Sequence, residues 1–117
     1  MSRKPRQDSQ HLGDALEHLR VLRDHLNRGS LDDALIRDAV CHRLEVAIDA
    51  VAKVNQDLLA EVPDWPKIVG MRNMLAHQYT DLDQEILQNT IDNRLDGFVR
   101  LVEQLHRTAA TADTLTS

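Results

Sequence analysis

Leu12, Leu16, Leu19, Leu22 and Leu26 recur at spacings of three and four, the period that gathers side chains on one face of an α-helix. The stripe predicts a first helix that stops at Gly29, the residue type that most readily ends one. Ser30 is expected to open a second helix, with Asp33 three residues on completing an approximate capping box. That helix is expected from about Leu31 to Glu61, because Val40, Leu44, Ala47, Ile48, Val51, Val54, Leu58 and Leu59 make one broad apolar face. Pro63 and Pro66 bracket Trp65 and break it. A third helix begins near Pro66. Asp83 is the expected N-cap of the last helix, whose stripe is Leu87, Ile91, Leu95, Phe98, Val102 and Leu105. Helices joined by short connections predict an all-α, up-and-down four-helix bundle. Residues 1–9 lack periodicity and read as a flexible basic arm, 10–107 as a single helical domain, and the Thr- and Ala-rich residues 108–117 as a flexible tail.

Composition agrees with this picture. A chain of 117 residues suits one domain. With 42% hydrophobic but only 3% aromatic residues, and with four Gly and three Pro, helices are favoured over a sheet. A single Cys41 excludes an intrachain disulfide framework and a cysteine zinc cluster, and fits a reducing compartment. It reads as a small buried hydrophobe, since the adjacent His42 and Arg43 point elsewhere on the helix. No apolar run approaches the ~20 residues of a membrane span. The start Met-Ser-Arg-Lys-Pro-Arg leads into polar residues rather than a signal peptide's apolar core. The expectation is a soluble cytoplasmic protein without a membrane partner.

A net charge of −5 argues against a general nucleic-acid binder, which presents a basic face. Any polynucleotide contact must be local, in a groove around Arg72 with Arg94 or Arg100, or through the basic arm. His11, His18 and His25 repeat every seven residues beside the first stripe. They read as histidines on a solvated helix edge, the alternative being a metal site through Asp14. No metal or cofactor is assigned.

Candidate chemistry concentrates between Trp65 and Tyr79, where Arg72, Asn73, His77 and Tyr79 fall among apolar residues. Ile68, Met71, Arg72 and Leu75 share one side of a helix, which draws Arg72 towards the bundle or a neighbouring subunit. There it is either a structural cation paired with a carboxylate or a functional one. Gly70, inside the helix, costs about 1 kcal/mol relative to Ala and suggests close approach by another helix or by substrate. Five residues from Arg72 to His77 amount to about 500° of helical rotation, which sets the two about 140° apart. They converge if the helix ends before His77, as Tyr79-Thr80-Asp81 suggests, or if two chains pack with these segments facing each other. Histidine titrates near neutrality and can move a proton to or from a ribose oxygen, and arginine can hold a phosphate and the charge that grows on it. Asn73 can orient His77 or bind phosphate, or be a surface amide. Trp65 reads as a core plug beneath the loop, and secondarily as a stacking surface for a base.

The pattern R-N-x3-H-x-Y formed by Arg72, Asn73, His77 and Tyr79 resembles the Arg-x4-6-His motif of HEPN-domain proteins, in particular the HepT-like toxin branch, whose motif also carries the tyrosine. The match is specific over Trp65 to Tyr79 and architectural elsewhere. The resemblance implies the toxin of a type VII HEPN/MNT toxin-antitoxin pair, a metal-independent endoribonuclease with a composite cleft across a homodimer. It implies Arg72 and His77 as catalytic residues with Asn73 in support. It further implies a cognate nucleotidyltransferase antitoxin that attaches AMP to the motif tyrosine, here Tyr79. Such a modification sets phosphate charge and a nucleotide's bulk two residues from His77, blocking the cleft and occupying Arg72. HEPN domains also include inactive members. The alternative is therefore a non-catalytic helical binding or dimerisation subunit of a nucleotidyltransferase.

Overall fold

A computed structural model describes residues 7–77 and 81–116, apart from the side chains of His77, Asp81, Leu82, Asp83 and Thr116. Among the described residues there are helices and no strands: α1 (Asp8–Arg28), α2 (Ala34–Ala52), α3 (Gln56–Leu59), α4 (Trp65–His77), α5 (Asp81–Asn93) and α6 (Leu95–Thr116). The all-α bundle expected from the stripes is what forms. None of these helices is long and apolar enough to cross a membrane.

The leucine stripe of α1 is the centre of the core. Leu12, Leu19 and Leu22 are fully buried with Ala15, against Val40, Cys41, Ala47 and Val51 of α2 and Val102 of α6. Truncating one of these leucines to Ala costs roughly 2–5 kcal/mol. Polar contacts at the two ends of α1 give its neighbours' directions. The Asp8 carboxylate accepts from the Asn55 backbone N–H just past the end of α2 (3.3 Å), and the Ser9 N–H donates to Asp113 near the end of α6 (3.1 Å). Towards the other end, Arg23 pairs with Asp96 at the start of α6 (2.6 Å). Both α2 and α6 therefore run antiparallel to α1, as in an up-and-down bundle. Arg37 and Asp32 both bond Gln84 of α5, fastening it beside the start of α2.

Boundaries differ from those the stripes suggest. Residues 31–33 make a turn, closed by the Asp33 N–H on the Ser30 carbonyl (3.0 Å). The N-cap of α2 is therefore Asp33, whose carboxylate accepts the Leu35 N–H at 2.9 Å, not Ser30. Nor does α2 reach Glu61. It stops at Ala52, where Lys53 and Val54 bond back only three residues, and Asn55 starts the single turn of α3 by accepting the Asp57 N–H (2.9 Å). Asn competes for backbone in this way. Val54, Leu59 and Val62 still enter the core, by a bent route.

The last stripe is likewise two helices, interrupted at Arg94, close to where the Thr90 hydroxyl bonds back to the Ile86 carbonyl (2.8 Å), a contact that bends helices. Asp83 lies inside α5 rather than at its cap. Residues 108–116, expected to be a flexible tail, continue α6 and bury Ala109. Residues 1–6 of the expected arm lie outside the described residues, and Asp8 and Ser9 belong to α1.

Candidate active site

Helix α4 starts at Trp65, with Pro66 in its first turn, where a missing N–H costs nothing. Trp65 is half-buried and packs against the core under the α3–α4 connection, the plug its sequence context suggests. Leu75 is buried, and Ile68, Met71 and Met74 lie half-buried against the core. Pro66, Gly70, Asn73 and Ala76 face solvent. A Cβ built on Gly70 meets nothing within 4 Å. No element of the same chain among the described residues makes the close approach that a glycine there suggests.

Arg72 turns towards α2 and meets Asp49 in a fork, with Nε donating to Oδ1 at 2.8 Å and Nη2 to Oδ2 at 3.0 Å. Arg72 thus has a carboxylate partner on α2. Its side chain is 33% exposed and that of Asp49 44%, so solvent screens the pair and it adds little to stability. What the fork supplies is orientation. The hydrogen bond and charge of Asp49 raise the Arg72 pKa above the ordinary arginine value, with a smaller contribution from Glu45, one turn earlier on α2. Asp49 went unrecognised in the sequence. Its signal is the pair Glu45 and Asp49, four apart on α2, which puts two carboxylates on one side of the helix.

Asn73 is exposed on the neighbouring side of α4. His77 is the final residue of α4, and Tyr79 lies outside the described residues. Because the helix continues through His77, it does not end early enough to fold the histidine back towards Arg72. The positions remain about 500° of rotation apart on one axis.

A cleft of about 600 Å³ opens between α2, α4 and the α5–α6 junction. Leu44, Ile48, Ile68, Met71, Ile91 and Phe98 line its walls, and Lys67 and Arg94 are offset by Glu61 and Asp64. Arg72 and Arg100 are not among its lining residues. The groove expected around Arg72, Arg94 and Arg100 is therefore divided, with Arg72 held at Asp49 and Arg94 in the cleft.

Of the evenly spaced histidines, His18 is held by α2: Arg43 Nη1 lies 2.9 Å from its Nδ1. Burial, then the Arg43 charge, keeps its pKa below the usual histidine value. His18 is thus a partly exposed residue tied across to α2. Among the described residues, no group of three or more His, Cys, Asp and Glu side chains is gathered as a metal would require. Cys41 is fully buried.

The chain resembles known proteins over most of its length. The model of the family described as "Ribonuclease HepT-like" matches residues 12–105. Two relatives from Methanocaldococcus jannaschii are similar. One, named "Putative RNase MJ0127", is 26% identical over 100 residues, 80% of this chain and 83% of the relative. The other, named "Putative RNase MJ1380", is 29% identical over 75 residues, 62% of this chain and 69% of the relative. No solved structure matches with significance. The matched residues run from the first buried leucine of α1 to Leu105 of α6 and contain both the bundle core and the whole R-N-x3-H-x-Y segment, so the chain belongs to the HepT-like ribonuclease family.

Proposed function

We propose that the protein is the RNA-cleaving toxin of a HEPN/MNT toxin-antitoxin pair, acting in the cytoplasm as a metal-independent endoribonuclease. The observation that carries this reading is the family match across residues 12–105, a span that includes Arg72, Asn73 and His77 of α4. Since Arg72 and His77 diverge on one unbroken helix, the working site takes residues from two copies of the chain. The half-buried Ile68, Val69, Met71 and Met74 and the open backbone at Gly70 support α4 as a surface where copies meet. In this homodimer one His77 takes the proton from a ribose 2′-hydroxyl, which attacks the adjacent phosphorus. The partner's His77 gives a proton to the departing 5′-oxygen, and Arg72 binds the phosphate as its charge grows. Asn73 supports His77 or the phosphate. The products are a 2′,3′-cyclic phosphate and a free 5′-hydroxyl. The cognate nucleotidyltransferase silences the site by attaching AMP to Tyr79.

The test is cleavage of single-stranded RNA by the purified dimer in EDTA. The parent leaves a 2′,3′-cyclic phosphate or its hydrolysed 3′-phosphate, and His77→Ala loses about 10²–10⁴-fold in rate while folding and dimerising normally. If His77→Ala cleaves as well as the parent, or if activity follows added metal and disappears on further purification, the nuclease reading fails. The chain is then a non-catalytic helical subunit of its nucleotidyltransferase.

A further inference from the structure

We propose that Asp49 is a positioning residue for Arg72, and that the structure already defines which edge of the guanidinium receives the phosphate. This rests on the nuclease reading above, but its test includes a readout independent of cleavage. A guanidinium has five N–H donors arranged as two forks. Asp49 accepts from Nε and from one hydrogen of Nη2. Three donors remain: both hydrogens of Nη1 and the second of Nη2. One hydrogen of Nη1 and the second of Nη2 form the complete other fork, which can take two oxygens of one phosphate while the first fork stays on Asp49. The carboxylate and the phosphate therefore occupy different edges and do not compete for donors.

The location of the pair strengthens the argument. Asp49 is anchored between the buried Ile48 and Ala50 of α2, a helix held by the core, whereas α4 is partly uncovered. The bond from α2 to Arg72 thus ties a long, flexible side chain to the rigid part of the bundle, and the entropy of fixing it is spent before RNA arrives. The opposing effect is the repulsion that Asp49, aided by Glu45, exerts on an incoming phosphate. With the pair this exposed, water screens that repulsion, so orientation outweighs it.

The experiment compares the parent with Asp49→Ala, Asp49→Asn and Asp49→Glu as full-length dimers, first checked for helicity and dimerisation. Cleavage is followed at saturating and limiting RNA, and the Arg72 Nε–H signal, assigned through its loss in Arg72→Lys, is followed by nitrogen-15 NMR. In the parent this signal exchanges slowly, and it stays protected when an uncleavable 2′-deoxy dinucleotide is added. Asp49→Ala lowers kcat by about 10–100-fold, the scale of a misplaced positioning group, with a smaller change in KM, and exposes the Nε–H to exchange. Asp49→Asn, which keeps an acceptor for Nε but presents an amide donor to Nη2, is intermediate. Asp49→Glu restores part of the rate. A rate for Asp49→Ala at or above the parent's, in an intact dimer, overturns the inference, because Asp49 is then a competitor that masks Arg72. An Nε–H signal equally exposed in parent and Asp49→Ala overturns it as well. If no variant and no parent cleaves RNA, the nuclease reading falls. The positioning role is then decided by dinucleotide affinity, with weaker binding in Asp49→Ala supporting it and tighter binding ending it.

Discussion

Arg43 Nη1 and His18 Nδ1 lie 2.9 Å apart between α2 and α1. A guanidinium can only donate, so Nδ1 must be the acceptor, which puts the imidazole proton on Nε2 and leaves His18 neutral in the folded chain. Protonating it breaks that bond and sets two cations side by side.

The consequence is a pH-dependent stability with a definite sign. Burial comes first, then the Arg43 charge, in lowering the His18 pKa, with His42 acting the same way and Asp14 and Glu17 opposing. Below the ordinary histidine pKa of 6.5 the unfolded chain binds the proton that the folded chain refuses. Stability is therefore full above that value and is lost as pH falls from it towards the depressed folded value. Urea midpoints at about pH 7.5 and about pH 5.5 are expected to differ less in His18→Gln than in the parent. An unchanged difference would remove His18 as the source.

At Arg72 the informative substitution is lysine. A single ammonium keeps the charge, but Asp49 is close enough to capture it, leaving no second fork for a phosphate. Arg72→Lys is expected to fold and dimerise as the parent does, yet to lose RNA cleavage nearly as fully as Arg72→Ala. Recovery of most of the parental rate would show that charge alone suffices there.

Gly70 tests whether α4 meets a second copy. Within one chain an added Cβ is unobstructed, so Gly70→Ala is expected to raise monomer stability by about 0.5–1 kcal/mol through helix propensity. If α4 packs on a second copy, the larger Gly70→Leu shifts the dimer to monomer in light scattering while helical circular dichroism stays intact. A parent that is a stable monomer at micromolar concentration would remove the composite site altogether.

The antitoxin partnership is tested on Tyr79. With ATP, Mg²⁺ and the nucleotidyltransferase, the chain is expected to gain the mass of one or more AMP units, and Tyr79→Phe to gain none. Mass appearing on another residue would displace Tyr79 from the scheme but leave the pairing of the two proteins in place.

The bundle was legible in the chain because helical periodicity is a local property. Leu12, Leu19 and Leu22 share a face of α1 whatever surrounds them, and the same holds for Leu95 and Val102 on α6, so the inward sides of these two helices follow from spacing alone. Residue chemistry was equally local: Arg72, Asn73, His77 and Tyr79 carry their donors and their family resemblance in whatever conformation they adopt. Boundaries were not, because two backbone routes can bury the same side chains. A long helix and the bent path through Asn55 both take Val54 and Leu59 inward, and the helical period does not distinguish them. The partner of Arg72 was beyond reach for a related reason. With 19 acidic residues in the chain, periodicity says that Arg72 turns inward but cannot say which carboxylate it meets. The seating of α4 on α2 decides that, bringing Asp49 within 2.8 Å of a residue 23 positions away and settling which edge of the guanidinium is left free.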